Sequence, residues 1–392
     1  MKNKLESGIL TLFPEGRIDS GNAESTEADI NGIIAANPAE KLILDVENLE
    51  YLSSAGLRIV LRLRKKFADM KVVNASPEVY DIFDMTGFTE MLTVEKAYRK
   101  LSVEGCEVIG RGANGEVYRL DPDTIIKVYL NPNALPEIHR ERELARKAFI
   151  LGIPTAIPYD VVKVGEGYGS VFELLNAKSF AKLIIADPAN AETCTKMSVE
   201  LLKKIHSTLV KPGDMPDMKE VALDWASFLA DYIPEDEAKK LYALVEAVPH
   251  NDHMMHGDYH IKNVMLQDGE VLLIDMDTLC VGDPVFEFAS IWLAYQGYSE
   301  VDHQVVKDFL GIDREITTEI WKNTLRLYFG TEDEETLRRY EDKAKVIGYT
   351  RMMRRTIRRN GFNTEEGRAV IDNCKKNLSQ LLKTIDSLSF NA

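Results

Sequence analysis

The sequence predicts an α/β domain, a sheet with packed helices, followed by an α+β bilobal domain. Three observations predict it. At 392 residues the chain exceeds what one compact core organises, so two or three domains are expected. Over residues 1–100 apolar runs alternate with amphipathic ones, the pattern of helices laid against a sheet. From Cys106 the grammar changes to short strand-like pieces, then a helix, then a mainly helical remainder. The expected boundaries are 1–100 for the first domain, 101–104 for a linker and 105–392 for the second, with lobes of about 105–175 and 176–392.

In the first domain GILTLF (Gly8 to Phe13) is strand-like and TEADINGIIAA is a helix candidate. KLILDV (Lys41 to Val46) is a continuous apolar strand, as expected where both faces of a sheet are covered. Beyond it Leu57, Val60, Leu63, Phe67 and Met70 recur every three or four residues and predict one buried helix face. KVVNA is a further strand, and SPEVYDIFDMTG a helix with Ser76 as N-cap and Pro77 in its first turn. EKAYRKLSVEG reads as a polar bridge. In the second domain CEVIG, GEVYRL and TIIKVY are strand-like, the last two joined by the turn DPDT. PEIHRERELARKAFILG follows as a helix, and after YGSVFELLN the chain is helical apart from one hairpin.

Composition bounds the function. Hydrophobic content of 45% and charged content of 28% are ordinary for a soluble globular chain. No apolar run approaches the roughly 20 residues of a membrane helix, and MKNKLESGIL lacks the apolar core of a signal peptide. A cytoplasmic protein with no membrane partner is expected. Cys106, Cys194, Cys280 and Cys374 are scattered without CxxC spacing and read as reduced structural thiols. Residues 1–100 hold 13 Lys or Arg against 16 Asp or Glu, so most of the net charge of −15 falls beyond them. That disfavours nucleic acid and mildly favours a neutral or cationic substrate for the larger domain. The basic run RMMRRTIRR (Arg351 to Arg359) reads as a solvated helix face.

The chemistry is concentrated in MMHGDYHIKNVMLQDGEVLLIDMD. Asp268-Gly269 between two apolar runs is a hairpin signal, since both residues tolerate positive φ. Asn263 lies five residues before Asp268 and Asp275 six after Gly269, so the hairpin brings them together at its open end. An amide oxygen beside a carboxylate suits a hard cation such as Mg2+ that also keeps waters and phosphate oxygens. Asp258, on the loop leading in, can accept or orient a hydroxyl proton during attack on phosphorus. His256 and His260 are four apart, but Gly257 and Asp258 argue for a loop and no third ligand follows, so zinc is not expected.

In IGRGANGEVYRL the glycines lead into a strand rather than a helix. A glycine-rich hairpin can cover phosphates with its N–H groups while the next strand presents a lysine beneath. Lys127 interrupts an apolar strand, which is costly unless its charge is paired. Glu143 on the following helix is the candidate partner, with Glu141 as the alternative. Trp225, Tyr232, Trp292 and Tyr295 are candidate pocket aromatics, though core packing is their ordinary role and they name no substrate.

These residues resemble the protein-kinase-like superfamily, specifically its aminoglycoside-phosphotransferase branch of small-molecule kinases, from roughly Glu104 to Leu388. HGDYHIKN with IDMD is similar to that branch's HGD, N and metal-binding D. Gly257 stands where protein kinases carry Arg, DFG is replaced by Asp275-Met276-Asp277, and TLCVGDPVFEFAS leaves no room for a long activation segment. The resemblance implies ATP and magnesium as cofactors and a small-molecule hydroxyl as phosphoryl acceptor. It implies Asp258 as catalytic base, Asn263 and Asp275 as metal ligands with Asp277 assisting, and Gly110, Gly112, Asn114 and Gly115 over the phosphates. Lys127, paired with Glu143, would touch the α and β phosphates. FELLN looks like the hinge, with the backbone at Glu173 and Leu175 holding adenine. His260 supports the loop, and Asp283 and Glu287 read as supporting or core positions with no chemistry of their own.

The stretch LDVENLEYLSSAGLRIVL with FDMTGF resembles a STAS domain, the fold of bacterial anti-sigma factor antagonists. That resemblance implies a regulatory phosphosite at the start of a helix, here Ser54, with Ser53 where the family carries Asp. It also implies an anti-sigma factor or another signalling protein as partner. A helix N-terminus favours a phosphate, and the same free N–H groups make serine a good cap with no phosphate at all. The expectation is a phosphotransferase with a STAS regulatory or docking domain. The alternatives are a nucleotide-controlled anti-sigma antagonist, or a protein kinase acting on Ser54 or a partner.

Overall fold

The computed structural model describes residues 1–112 and 114–390. The chain divides into two compact units, Met1–Ser102 with Val161–Gly165, and the remainder.

In the first unit the strands Lys2–Glu6, Ile9–Phe13, Lys41–Asp45, Asp69–Ala75 and Thr93–Lys96 form one sheet in that order. The first pair is antiparallel and the rest are parallel. The helices Ala23–Ala36, Ser54–Lys66 and Pro77–Met85 connect them. Leu10, Leu12, Leu42, Leu44, Val72 and Phe83 are almost wholly buried and anchor a core of their own. Two expectations need correcting. The strand at Lys41 is covered fully on one side only, because Leu42, Leu44 and Val46 are buried while Ile43 is half-buried. The helix also stops at Lys66: Phe67 turns extended (φ −116°, ψ 108°), and Met70 enters the core from the next strand. Arg64, Lys65 and Lys66 crowd that last turn, where the helix dipole favours cations.

In the second unit Gly167–Glu173, Thr124–Tyr129, Gly115–Arg119 and Glu107–Arg111 lie side by side in that order, antiparallel. The helix Leu135–Ile150 lies in the chain between Thr124–Tyr129 and Gly167–Glu173. Beyond it helices dominate, among them Asn190–Ser207, Met218–Leu229, Pro284–Tyr295, Arg314–Phe329 and Glu334–Arg358. Pro284–Tyr295 is apolar nearly all round and runs through the core, with Trp292 and Tyr295 at 1% and 2% exposure. Those two aromatics are core residues. The four cysteines are free thiols. Among the described residues no helix is long and apolar enough to cross a membrane.

Candidate active site

The hairpin forms as its turn demands. Val264–Gln267 pairs with Glu270–Leu273, and Asp268 and Gly269 take φ of 50° and 87°. At the open end the Ile274 N–H donates to Asn263 O at 2.9 Å, so Asp275 follows directly beside Asn263. The Asn263 side chain is buried and fixed, its amide donating to Asp258 O at 3.1 Å. That leaves its carbonyl oxygen as the free end. Asp275 adopts a left-handed backbone (φ 64°) and keeps 45% of its side chain open.

Asp258 sits on a loop pinned from several sides. Its N–H donates to His256 Nδ1 at 3.3 Å, while His256 Nε2 lies 3.1 Å from Ile274 O. Both ring nitrogens are thus engaged in positioning. His260 Nε2 approaches the Asp258 carboxylate at 3.6 Å, a supporting place. Burial pushes the Asp258 carboxyl up, but His260, Arg351 and His256 together pull it further down, to about 2. The group stays ionised and ready to accept a hydrogen bond.

Three anchors hold this loop: Glu287, which the sequence marks only as a supporting or core position, and Ser290 and Arg351, which it does not connect with the loop. Glu287, fully buried, accepts the N–H of His256 at 2.5 Å and of Gly257 at 3.0 Å, with His206 Nε2 at 3.7 Å. It is the lone charge in the apolar helix PVFEFASIWLAY, and that isolation was the signal available. Ser290 Oγ donates to Gly257 O at 3.0 Å, and Arg351 Nη1 donates to the same oxygen at 3.1 Å. The run RMMRRTIRR is therefore not simply a solvated face. Met352, Met353 and Ile357 are buried, and Arg351 and Arg354 are half-buried.

Lys127 is held between two carboxylates, with Glu141 at 2.9 and 3.0 Å and Asp275 at 3.5 Å. Burial lowers its pKa, yet Glu141 and Asp275 overcome that and leave it raised. The partner is Glu141 and not Glu143, which instead lies near Arg146 and Lys147 on its own helix. Glu141 shares the buried face with Ile138 and Ala145, and it also accepts the Tyr129 hydroxyl. Asp277 is pushed up to about 7 by burial and by the charges of Asp275 and Glu141. Carboxylates thus outnumber Lys127 here, and this oxygen-rich, electron-rich cluster fits a hard dication. Among the described residues no group of three or more His, Cys, Asp or Glu is poised to hold a metal unaided.

The glycine-rich segment leads into the strand Gly115–Arg119. Gly115 lies so close to the neighbouring strand that a Cβ would fall 2.4 Å from Val128 O. Gly110 and Gly112 flank the turn, and the Gly112 N–H is spent on Gly115 O at 2.9 Å. Asn114 lines a cleft of about 440 Å³ with Tyr129, Arg140, Glu141 and Asp277. In the segment FELLN, expected to serve as the hinge, the Leu174 N–H donates to Asp123 O at 2.7 Å, with Glu173 before it and Leu175 beyond.

In the first unit Ser53, with β-region backbone, is the N-cap of Ser54–Lys66, accepting the N–H of Ala55 at 3.2 Å and of Gly56 at 3.5 Å. Ser54 is the first helical residue and is exposed. The cap and the candidate phosphosite are adjacent but separate serines.

Residues 105–319, more than half of the chain, match the model of the phosphotransferase enzyme family. The chain belongs to that family. Residues 2–102 match the STAS domain model. Over 91 residues the chain is 32% identical to an anti-sigma factor antagonist of Bordetella bronchiseptica, BtrV, covering 22% of this chain and 78% of that protein. An anti-sigma F factor antagonist of Paenibacillus polymyxa is 23% identical with the same coverage. The N-terminal unit is a STAS domain. Similar solved structures include a choline/ethanolamine kinase family protein from Mesorhizobium loti, at 15% identity and TM-score 0.47, covering 71% of this chain and 88% of that one. Another is a thermostable mutant of aminoglycoside phosphotransferase APH(4)-Ia, at 12% identity and TM-score 0.49, covering 72% and 97%.

Proposed function

We propose that this chain is an ATP- and magnesium-dependent phosphotransferase acting on the hydroxyl of a small molecule, with its STAS domain as a regulatory or docking module. The observation that carries the reading is the convergence of Asp258, Asn263 and Asp275 around one hairpin mouth, with the Lys127–Glu141 pair beside them. Lys127 would hold the α and β phosphates, kept charged and oriented by Glu141. Backbone groups at Glu173 and Leu175 would hold adenine, and the Gly110–Gly115 turn would cover the phosphates. Asn263 and Asp275 would hold magnesium, which when bound neutralises phosphate charge. Asp258 orients the acceptor hydroxyl and takes its proton. The hydroxyl oxygen bonds the γ-phosphorus, the bond to the ADP oxygen breaks, and its electron pair leaves with ADP.

The test is Asp258→Asn, assayed for phosphoryl transfer and separately for nucleotide binding. Turnover falls on the order of 100-fold or more while nucleotide binding persists. Wild-type turnover in that variant overturns the assignment. A second reading is favoured by the exposed Ser54 hydroxyl and by the names of the STAS relatives: a signalling protein whose partner contact is set by phosphorylation at that serine. Labelled ATP followed by phosphosite mapping separates the two, since label on Ser54 supports the second.

A further inference from the structure

The charge beside the catalytic loop runs opposite to the charge of the chain. On the helix Glu334–Arg358, Arg351, Arg354 and Arg355 share one face through their three- and four-residue spacing. Each guanidinium lies over an aromatic ring. Arg351 is 5.6 Å from the Trp225 centroid, Arg354 5.5 Å from Phe228, and Arg355 5.4 Å from Tyr298. Stacking of this kind holds a planar cation oriented before any ligand arrives. Arg354 is paired with Asp224 at 2.7 Å. Among the described residues neither Arg351 nor Arg355 has a carboxylate within ion-pair distance. Arg355 instead donates to the Tyr298 hydroxyl at 2.7 Å, and Arg351 to Gly257 O and Ser290 Oγ. In a chain of net charge −15, two guanidiniums on one helix face without a carboxylate in direct contact, the first of them close enough to Asp258 to lower its pKa, are a built feature. Pinning the loop accounts for one Arg351 nitrogen and for nothing at Arg355.

We propose that the phosphoryl acceptor is anionic: a small hydroxylated molecule whose carboxylate or phosphate is read by the Arg351 and Arg355 face while its hydroxyl meets Asp258. This rests on the phosphotransferase reading of Asp258 and names the class of its substrate. Transfer follows the same balance as above, with the hydroxyl proton passing to Asp258 and the anionic group unchanged. Bidentate guanidinium contacts suit either carboxylate or phosphate, so the two are separated by experiment.

The experiment uses the full chain with Mg-ATP and two matched series. One is glycerol, glycerate, glycerol 3-phosphate and 3-aminopropane-1,2-diol; the other is glucose, gluconate, glucose 6-phosphate and glucosamine. ADP formation is measured for each, and thermal shift is measured with a non-hydrolysable ATP analogue. The expected result is a preference for an anionic member over its neutral and cationic partners, the carboxylate and phosphate arms saying which anion. In Arg355→Gln the KM for that member rises about tenfold or more, while KM for ATP and for the neutral partner stays put. Arg351→Lys keeps part of the preference and Arg351→Met loses it. Equal loss of kcat on every acceptor, with the preference intact, means these arginines only brace the loop and overturns the inference. A preference for the cationic members, or no discrimination in either readout, also overturns it while leaving a phosphotransferase. ADP formation indifferent to Asp258→Asn removes both readings together.

Discussion

At the scale of single residues, two neighbouring serines divide the work at one helix start. Ser53 supplies the oxygen that satisfies free N–H groups, so Ser53→Ala lowers the stability of the STAS unit by about 1 kcal/mol. Ser54→Ala, at the exposed neighbouring site, leaves stability nearly unchanged; chemical denaturation of the two variants checks the difference. Equal losses would mean that Ser54 also caps. The motif SSAGL was legible as a helix start, but which hydroxyl turns inward depends on backbone angles that spelling alone does not carry. The partner of Lys127 was closer to being readable. Ile138, Glu141, Ala145 and Ala148 follow a three-four-three spacing, so the buried stripe itself runs through Glu141. Glu143, two positions on, points about 200° around the helix.

Among elements, the hairpin at Asp268-Gly269 was fully legible because its turn chemistry is local. The supports of the Asp258 loop were not. Glu287 is 31 residues from His256, and Arg351 is 94 from Gly257, with no periodicity linking them. The same supports make the loop intolerant. Gly257 has φ 82°, and a Cβ there would lie 2.5 Å from Thr278 O. Gly257→Ala therefore shifts Asp258 relative to Asn263 and Asp275. Turnover falls on the order of 100-fold while the far-ultraviolet circular dichroism spectrum stays that of the parent. A variant with parental kcat would show that the loop has slack that its packing denies.

For the whole molecule, most of the buried apolar residues gather into two cores, one in each unit. The change of grammar near Cys106 announced that division, since it is a shift in periodicity over many residues. Two cores predict two calorimetric transitions. Mg-ATP at 100 times its dissociation constant raises one by about 2.7 kcal/mol of apparent stability and leaves the other in place. The unmoved transition is the one that Ser53→Ala lowers, which assigns each peak to its unit. Removing magnesium with a chelator abolishes most of the shift. The proposed acceptor contacts stayed illegible because Asp258 lies far in the sequence from Arg351 and Arg355. Asp275 adds a consequence for lineage. Its left-handed backbone is one that Asn adopts as readily as Asp. Exchange to Asn therefore asks nothing of the backbone, yet it removes a carboxylate that pairs with Lys127 and is proposed to hold the metal. Under the proposed function a chain altered in that way would lose phosphoryl transfer and keep its STAS unit, so position 275 is the first to read in any sequence of this architecture.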